Sequence, residues 1–250
     1  MQPIAHIHTD FPTKFGVPRQ SGLVDRLTSA IVFEPEFRNP DYLRGIEGWS
    51  HLWLIWQFHR VAPDDYSPTV LPPKLGGKTR VGVFATRSPF RPNHMGLSVV
   101  RLASVDWTAK GGPVLYVTGA DMVDGTPIFD IKPYVPYADS VPDAVDAFAE
   151  TRQAAPLAVI FPEPWRGMIA PEKLEGLTQA LSLNPRPGYQ HDPTRRYGFS
   201  FDGLDVRFTI DGDTLTVVEV VTLQPRRGGC PDSKGRLRLS KTIKCSSATE

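Results

Sequence analysis

Cysteine is nearly missing from this 250-residue chain, and the two present, Cys230 and Cys245, sit close to the C-terminus where no bridge could staple a core. A reducing, cytoplasmic setting is the reading this favours. No run of about 18 apolar residues occurs, so no membrane-spanning helix is expected. The N-terminus has no basic stretch leading into an apolar one, so no secretory signal is expected either. Familiar nucleotide signatures are also lacking. No GxGxxG follows a strand into a helix, and no phosphate-loop spacing occurs; Leu75-Gly-Gly-Lys-Thr-Arg80 leads into a strand and reads as a turn. There is no Gly-x-Ser-x-Gly elbow. His6 and His8 share one side of a strand, but no third ligand stands at metal spacing, so no metal site is expected.

What is present fits a globular protein, with 40% hydrophobic and 22% charged residues. Proline is abundant at 25 residues, which favours fixed loops over long helices. The net charge of +1 conceals an asymmetry. From Pro225 onward, seven Lys or Arg face two acids, a local balance of +5, so the preceding 224 residues carry −4. Residues 225–250 therefore read as a basic appendage, either a solvated flexible end or an arm for nucleic acid.

The stretch Ala85-Thr-Arg-Ser-Pro-Phe-Arg-Pro-Asn-His-Met-Gly96 is the most informative. Pro89 and Pro92 disfavour helix in the residues before them, so Arg87 and Arg91 belong to a stiff loop rather than to one helical face. Val81–Phe84 before it and Leu97–Val105 after it read as strands. Two guanidinium groups on a fixed loop serve either an ion-pair hub or an anionic, planar ligand. The segment Trp49–Val61 reads as a strand, with Leu52, Leu54, Trp56 and Phe58 on the core face; a buried helix competes with that reading. Val114–Val123, the turn Asp124-Gly125 and a returning strand Ile128–Tyr134 follow. Around that turn, Asp121, Asp124, Asp130 and Lys132 could hold a polar ligand or merely decorate a hairpin.

A first helix is predicted from the Ser140-Val-Pro-Asp143 cap to about Gln153. A boundary falls near Ala154–Pro164, with Pro156–Phe161 a possible strand. A second helix opens at Pro171, places Leu174, Leu177 and Leu181 on one face, and stops at Asn184-Pro185. Tyr197–Phe201, Leu204–Ile210 and Thr214–Leu223, joined by Asp202-Gly203 and Asp211-Gly212, predict a three-stranded antiparallel meander. The predicted fold is thus mainly β: a β-rich N-terminal domain over 1–155, a small α/β domain over 156–224, and the basic tail.

Several long motifs taken together resemble the TrmO (TsaA-like) family: ATRSPFRPNHMG, VDGTPIFDIKPYVP, the GWSHLW and FHR pieces of the Trp-rich segment, and Phe15-Gly-Val-Pro-Arg-Gln20. The similarity runs from about Ile4 to Leu223. It implies an S-adenosyl-L-methionine-dependent tRNA methyltransferase built on a small β-barrel instead of the doubly wound fold, and working as a homodimer. The implied reaction methylates N6 of N6-threonylcarbamoyladenosine at position 37, beside the anticodon. Carried over residue by residue, the resemblance implies a cofactor site of Pro18, Arg19, Gln20, His59, Arg60, Arg87, Leu97, Asp124, Gly125, Thr126 and Pro127. Asp124 and Asp130 are candidates for a group that helps N6 lose its proton. Arg91, Asn93, Arg186 and Tyr189 are candidate RNA contacts. The chain departs from the family pattern at Asn184-Pro-Arg-Pro187, where Asp is usual, and at His8-Thr-Asp-Phe11, where Ser-Pro-Tyr is common. Competing readings are a non-catalytic barrel that binds the cofactor or RNA, and a methyltransferase for another substrate.

Overall fold

The computed structural model describes residues 1–72, 79–147, 155–186 and 192–223. Six strands make the first half: β1 (Ala5–His8), β2 (Thr28–Phe33), β3 (His51–Gln57), β6 (Met95–Asp106), β7 (Val114–Thr118) and β8 (Thr126–Pro133). They pair antiparallel in the order β1-β2-β7-β6-β3-β8, and β8 returns to β1, giving a closed barrel. Alternation decides what fills it. Leu52, Leu54 and Trp56 of β3 point inward with Ile7, Ile31, Val100, Leu115, Val117 and Ile128, all buried. Two short strands, β4 (Thr69–Val70) and β5 (Val81–Gly82), pair outside that ring.

After a single helical turn, α1 (Pro136–Asp139), the chain forms β9 (Ala158–Ile160), α2 (Glu163–Arg166) and α3 (Pro171–Ser182). It then forms β10 (Tyr197–Phe201), β11 (Leu204–Asp211) and β12 (Thr214–Thr222). The last three pair antiparallel in sequence order, and β9 adds to β12 in parallel. Leu177 and Leu181 of α3 pack on Phe199, Phe201, Phe208 and Val217, making a second core. That core also receives Phe11, Val24 and Leu27 from the β1–β2 connection, so the two halves share side chains. Phe11 meets Phe201 edge-on, with centroids 5.5 Å apart. No helix among the described residues is long and apolar enough to cross a membrane.

Three local expectations need correction. Residues 141–147 form turns instead of the start of a helix, and 148–154 lie outside the described residues. The helical turn comes earlier, where the Asp139 carboxylate accepts the N–H of Val135 (2.7 Å) and of the Trp53 indole (3.0 Å). It stops at Ser140 because Pro142 disfavours helix at Val141. The strand after Val81 ends at Gly82, and residues 83–85 form a 3-10 turn. Finally, β7 ends at Thr118 and β8 does not return beside it: β8 pairs with β1 and β3, so residues 119–125 cross the end of the barrel.

Because neighbouring strands alternate in direction, the β1–β2, β3–β6 and β7–β8 connections all leave from the same end. These are residues 9–27, 58–94 and 119–125. They touch one another: Gly22 N–H donates to Gly119 O (2.9 Å), Asp124 N–H to Phe11 O (2.8 Å) and Lys14 Nζ to Arg60 O (3.1 Å). This rim is where loop side chains can be assembled on a rigid base.

Candidate functional site

The proline-framed loop is held from within. Arg91 donates from Nε to Ser88 O (3.0 Å) and from Nη2 to Thr86 O (2.5 Å) and Val83 O (3.3 Å). His94, buried and at φ 48°, sets Nδ1 against Pro89 O (2.9 Å) and Nε2 against Pro63 O (3.1 Å), locking the loop to the chain after β3. Arg91 and His94 thus shape the loop, while Asn93 is exposed. Arg87 points the other way, and its Nη1 donates to Gln20 Oε1 at 2.5 Å. Both residues line a cavity of about 580 Å³ together with Asp65, Thr69, Leu71 and Phe90.

Asp124 sits in the third connection. Its Oδ1 accepts from Thr9 N–H (3.1 Å) and lies 3.2 Å from His8 Nδ1. Gly125, at φ 75°, lets the chain turn so that its N–H reaches Ile7 O at 2.9 Å. Thr126 is buried and spends its hydroxyl on Val123 O (2.6 Å), and Pro127 is a buried strand residue opposite His6. These two shape the turn more than they offer it polar groups. His6 faces Glu34 at 2.7 Å, so each histidine of the pair has its own carboxylate. Among the described residues, no group of three or more His, Cys, Asp or Glu is placed to hold a metal ion.

Beside that turn, Arg60 donates from Nε to His59 Nε2 (3.3 Å) and from Nη1 to Pro12 O. Burial holds the His59 imidazole below its usual range, and the positive charges of Arg60, His6 and Lys14 act with it against Asp124. A neutral ring is also what the contact requires, since Nε2 must accept Arg60's proton. Lys14 and Arg60 have no carboxylate partner among the described residues. One face of the rim therefore gathers cations around Asp124.

The remaining candidates scatter. Pro18 is buried. Arg19 turns toward the second half, donating to Asn184 O (3.2 Å) and Arg186 O (3.4 Å), and burial lowers its guanidinium pKa. Asn184 stands two residues past Ser182, just after the C-cap Leu183 of α3, at φ 55°, the left-handed position where Asn is favoured over Asp and where a negative charge would oppose the helix dipole. Arg186 is half-buried, and Tyr189 lies outside the described residues. Leu97 is 56% exposed on β6, opposite Ile55. Asp130 stands apart from Asp124: it pairs with Lys132 (3.1 Å), four positions along β8 from Thr126, about 13 Å of strand.

Ser98 went unnoticed in the sequence as a partner of Asp121. Ser98, buried on the inward face of β6, donates from Oγ to Asp121 Oδ1 at 2.6 Å and accepts from Trp56 Nε1 at 2.9 Å. Gly96 makes room for that indole: a Cβ there would lie 2.3 Å from the Trp56 ring. The available signal was a polar residue at an inward position of an alternating strand, Ser98 before Val100 and Leu102.

Fold and rim together describe a class: a β-built protein with polar side chains assembled on three loops at one end of a closed sheet, and no doubly wound nucleotide fold among the described residues. Comparison with known proteins narrows this. Residues 6–140 match the model of the tRNA-methyltransferase O N-terminal domain, and residues 154–223 match that of the TrmO C-terminal domain. The chain belongs to the TrmO family. It is 38% identical over 233 residues to the tRNA (adenine(37)-N6)-methyltransferase of Escherichia coli, covering 90% of this chain and 97% of that protein. A putative S-adenosylmethionine-dependent methyltransferase, RcsF, of Pseudomonas aeruginosa is 39% identical over 216 residues, covering 83% and 91%. The crystal structure of TrmO from Pseudomonas aeruginosa superposes with a TM-score of 0.69 at 34% identity, covering 88% of this chain and 97% of that one.

Proposed function

We propose that this chain is an S-adenosylmethionine-dependent tRNA methyltransferase acting on N6 of adenosine 37, and that the adenosine it prefers already carries a threonylcarbamoyl group. The observation that carries this reading is that the Gln20–Arg87 pair, and His59 and Arg60 beside Asp124, stand on loops at one end of the barrel, in a chain that matches the family over both halves.

The rim's chemistry fits the methyl donor. Arg87 is bonded to a neutral amide, so its charge is available for a carboxylate, and a planar guanidinium matches one in two-point fashion. The adjoining cavity of about 580 Å³ falls in the range of small-molecule sites. When bound, the donor supplies an electrophilic methyl group on a sulfonium. The chain's own task is then alignment and proton handling. N6 exchanges a proton for the methyl group, so the proton needs an acceptor. Asp124 has Oδ1 committed to Thr9 and His8, while Oδ2 takes no hydrogen bond among the described residues. It is the better placed of the two aspartates, since Asp130 is engaged with Lys132 on the outer wall. The cations Lys14 and Arg60 nearby suit an anionic RNA substrate.

The finer parts of this reading follow the family. The barrel, residues 1–155, holds the cofactor; residues 156–224, with Arg186 and Tyr189, contact RNA beside Asn93, while Arg91 fixes the loop that presents it; residues 225–250 form the basic tail. The protein works as a cytoplasmic homodimer, and the apolar outer strip of Trp53, Ile55, Leu97 and Val99 supports a partner surface. The test is transfer of labelled methyl from S-adenosylmethionine to three RNAs: tRNA with threonylcarbamoyladenosine 37, the same tRNA with plain adenosine 37, and one with guanosine 37. Label on the first, much less on the second and none on the third is expected. Equal label on all three would overturn the assignment of the target atom.

A further inference from the structure

We propose that Asp121 is the counter-charge for the methyl donor, receiving either its sulfonium or its α-ammonium group. The inference rests on the reading of the rim given above and adds to it a residue outside the cofactor set that the resemblance implies.

Asp121 is half-buried at the start of the 119–125 connection, where the three rim segments meet. Its direction is fixed from the barrel core outward: Trp56 Nε1–H donates to Ser98 Oγ (2.9 Å), and Ser98 Oγ–H donates to Asp121 Oδ1 (2.6 Å). A chain of two hydrogen bonds anchored on a buried indole holds one oxygen and sets the carboxylate at the rim. No ion pair among the described residues includes this carboxylate. Burial pushes its pKa up, opposed by the Ser98 hydroxyl, the charge of Arg87 and the Ser21 backbone N–H. A sheltered carboxylate that has only neutral donors in contact has not recovered its hydration energy, and a cation placed against it would recover much of that. Arg87 bonds Gln20 and not this carboxylate, and keeps its charge for an anion. Arg87 and Asp121 thus present a positive and a negative group at one place, the pattern an amino-acid zwitterion requires: the carboxylate to Arg87, the cation to Asp121. The Ser98 position on β6 is then explained as support for that carboxylate.

Calorimetric titration of the full chain tests this with three ligands: S-adenosylmethionine, S-adenosylhomocysteine, which lacks the sulfonium charge, and 5′-methylthioadenosine, which lacks both that charge and the amino-acid end. Asp121→Asn keeps an acceptor for Ser98 and removes the charge. The expected result is a roughly ten- to hundredfold loss of affinity for S-adenosylmethionine. Loss confined to S-adenosylmethionine assigns Asp121 to the sulfonium; equal loss for S-adenosylhomocysteine, with 5′-methylthioadenosine unaffected, assigns it to the ammonium. No change, or the same loss for all three ligands, overturns the proposal in favour of a structural carboxylate. A wild-type chain that binds none of them overturns the rim reading as well, a result distinct from a silent Asp121→Asn. Should that variant fail to fold, the wild type serves: acidification through Asp121's raised range must weaken S-adenosylmethionine more than 5′-methylthioadenosine. Arg87, the charged group acting on Asp121, keeps its proton throughout. A pH-independent ratio of the two affinities contradicts the proposal.

Discussion

The barrel and the C-terminal sheet of this protein differ most in how their strands are joined. In the C-terminal sheet, β10 passes to β11 through Asp202-Gly203 alone, with φ values of 47° and 75° that suit a two-residue hairpin. Such turns leave no chain over for binding, and the sheet's inner face is filled by α3 and Phe11. The barrel instead sends residues 9–27, 58–94 and 119–125 from a single end. Its core is as well buried as the other, but its connections are long, and they carry Gln20, Arg87, Asp121 and Asp124. One sheet is built for stability and for joining the halves. The other is a base on which polar side chains are assembled.

That contrast can be broken in several places. The largest effect on stability is expected for Phe208→Ala, which empties a fully buried position of the C-terminal core; a loss of about 3–5 kcal/mol should appear in urea unfolding. A loss below about 1 kcal/mol would mean that the second core is not tightly packed. The converse is expected at the rim. Arg87→Ala should reduce S-adenosylmethionine affinity by roughly 1.5–3 kcal/mol, while the unfolding midpoint barely moves, because among the described residues the exposed guanidinium bonds only Gln20. Gly203→Ala should cost about 1 kcal/mol in unfolding, with no effect on cofactor affinity, since a side chain is strained at φ 75° in that turn. The smallest effect concerns His59. Its pKa is held below the ordinary imidazole value, so the unfolded chain takes up that proton first as pH falls. The melting temperature should therefore decline below about pH 6.5, and His59→Gln should flatten part of that decline. An unchanged slope would remove His59 from the account of acid stability.

The sequence was most legible where structure is local. The meander showed in its Asp-Gly turns and alternation, and α3 in its opening proline, its leucine spacing and its stop before Pro185. β3 was read with the correct inward face because Leu52, Leu54 and Trp56 alternate with half-exposed residues. Long-range pairing was not legible from the residues themselves. Asp124-Gly125 looks like a hairpin turn, yet the strand that follows it pairs with β1 and β3, whose positions no local signal specifies. The cap at Ser140 lost to an earlier turn because Asp139 finds two donors, one of them on β3. At the site, the rim loops were visible as motifs, and the structure sorts their members. Arg87 faces outward, Arg91 and His94 hold the loop together, and Asp130 belongs to the wall. The contact between Ser98 and Asp121 joins residues 23 apart in sequence, and only the barrel's curvature brings them together.

The central claim is that the three connections at one end of the barrel form the methyl donor's site, and a crystal structure of this chain with S-adenosylmethionine tests it most directly. The account predicts the ligand among residues 9–27, 58–72, 79–94 and 119–125, with its carboxylate on Arg87. A ligand seated instead in the groove of about 690 Å³ lined by Asp25, Arg26, His51, Val99 and Arg101, with its carboxylate away from Arg87, would contradict it.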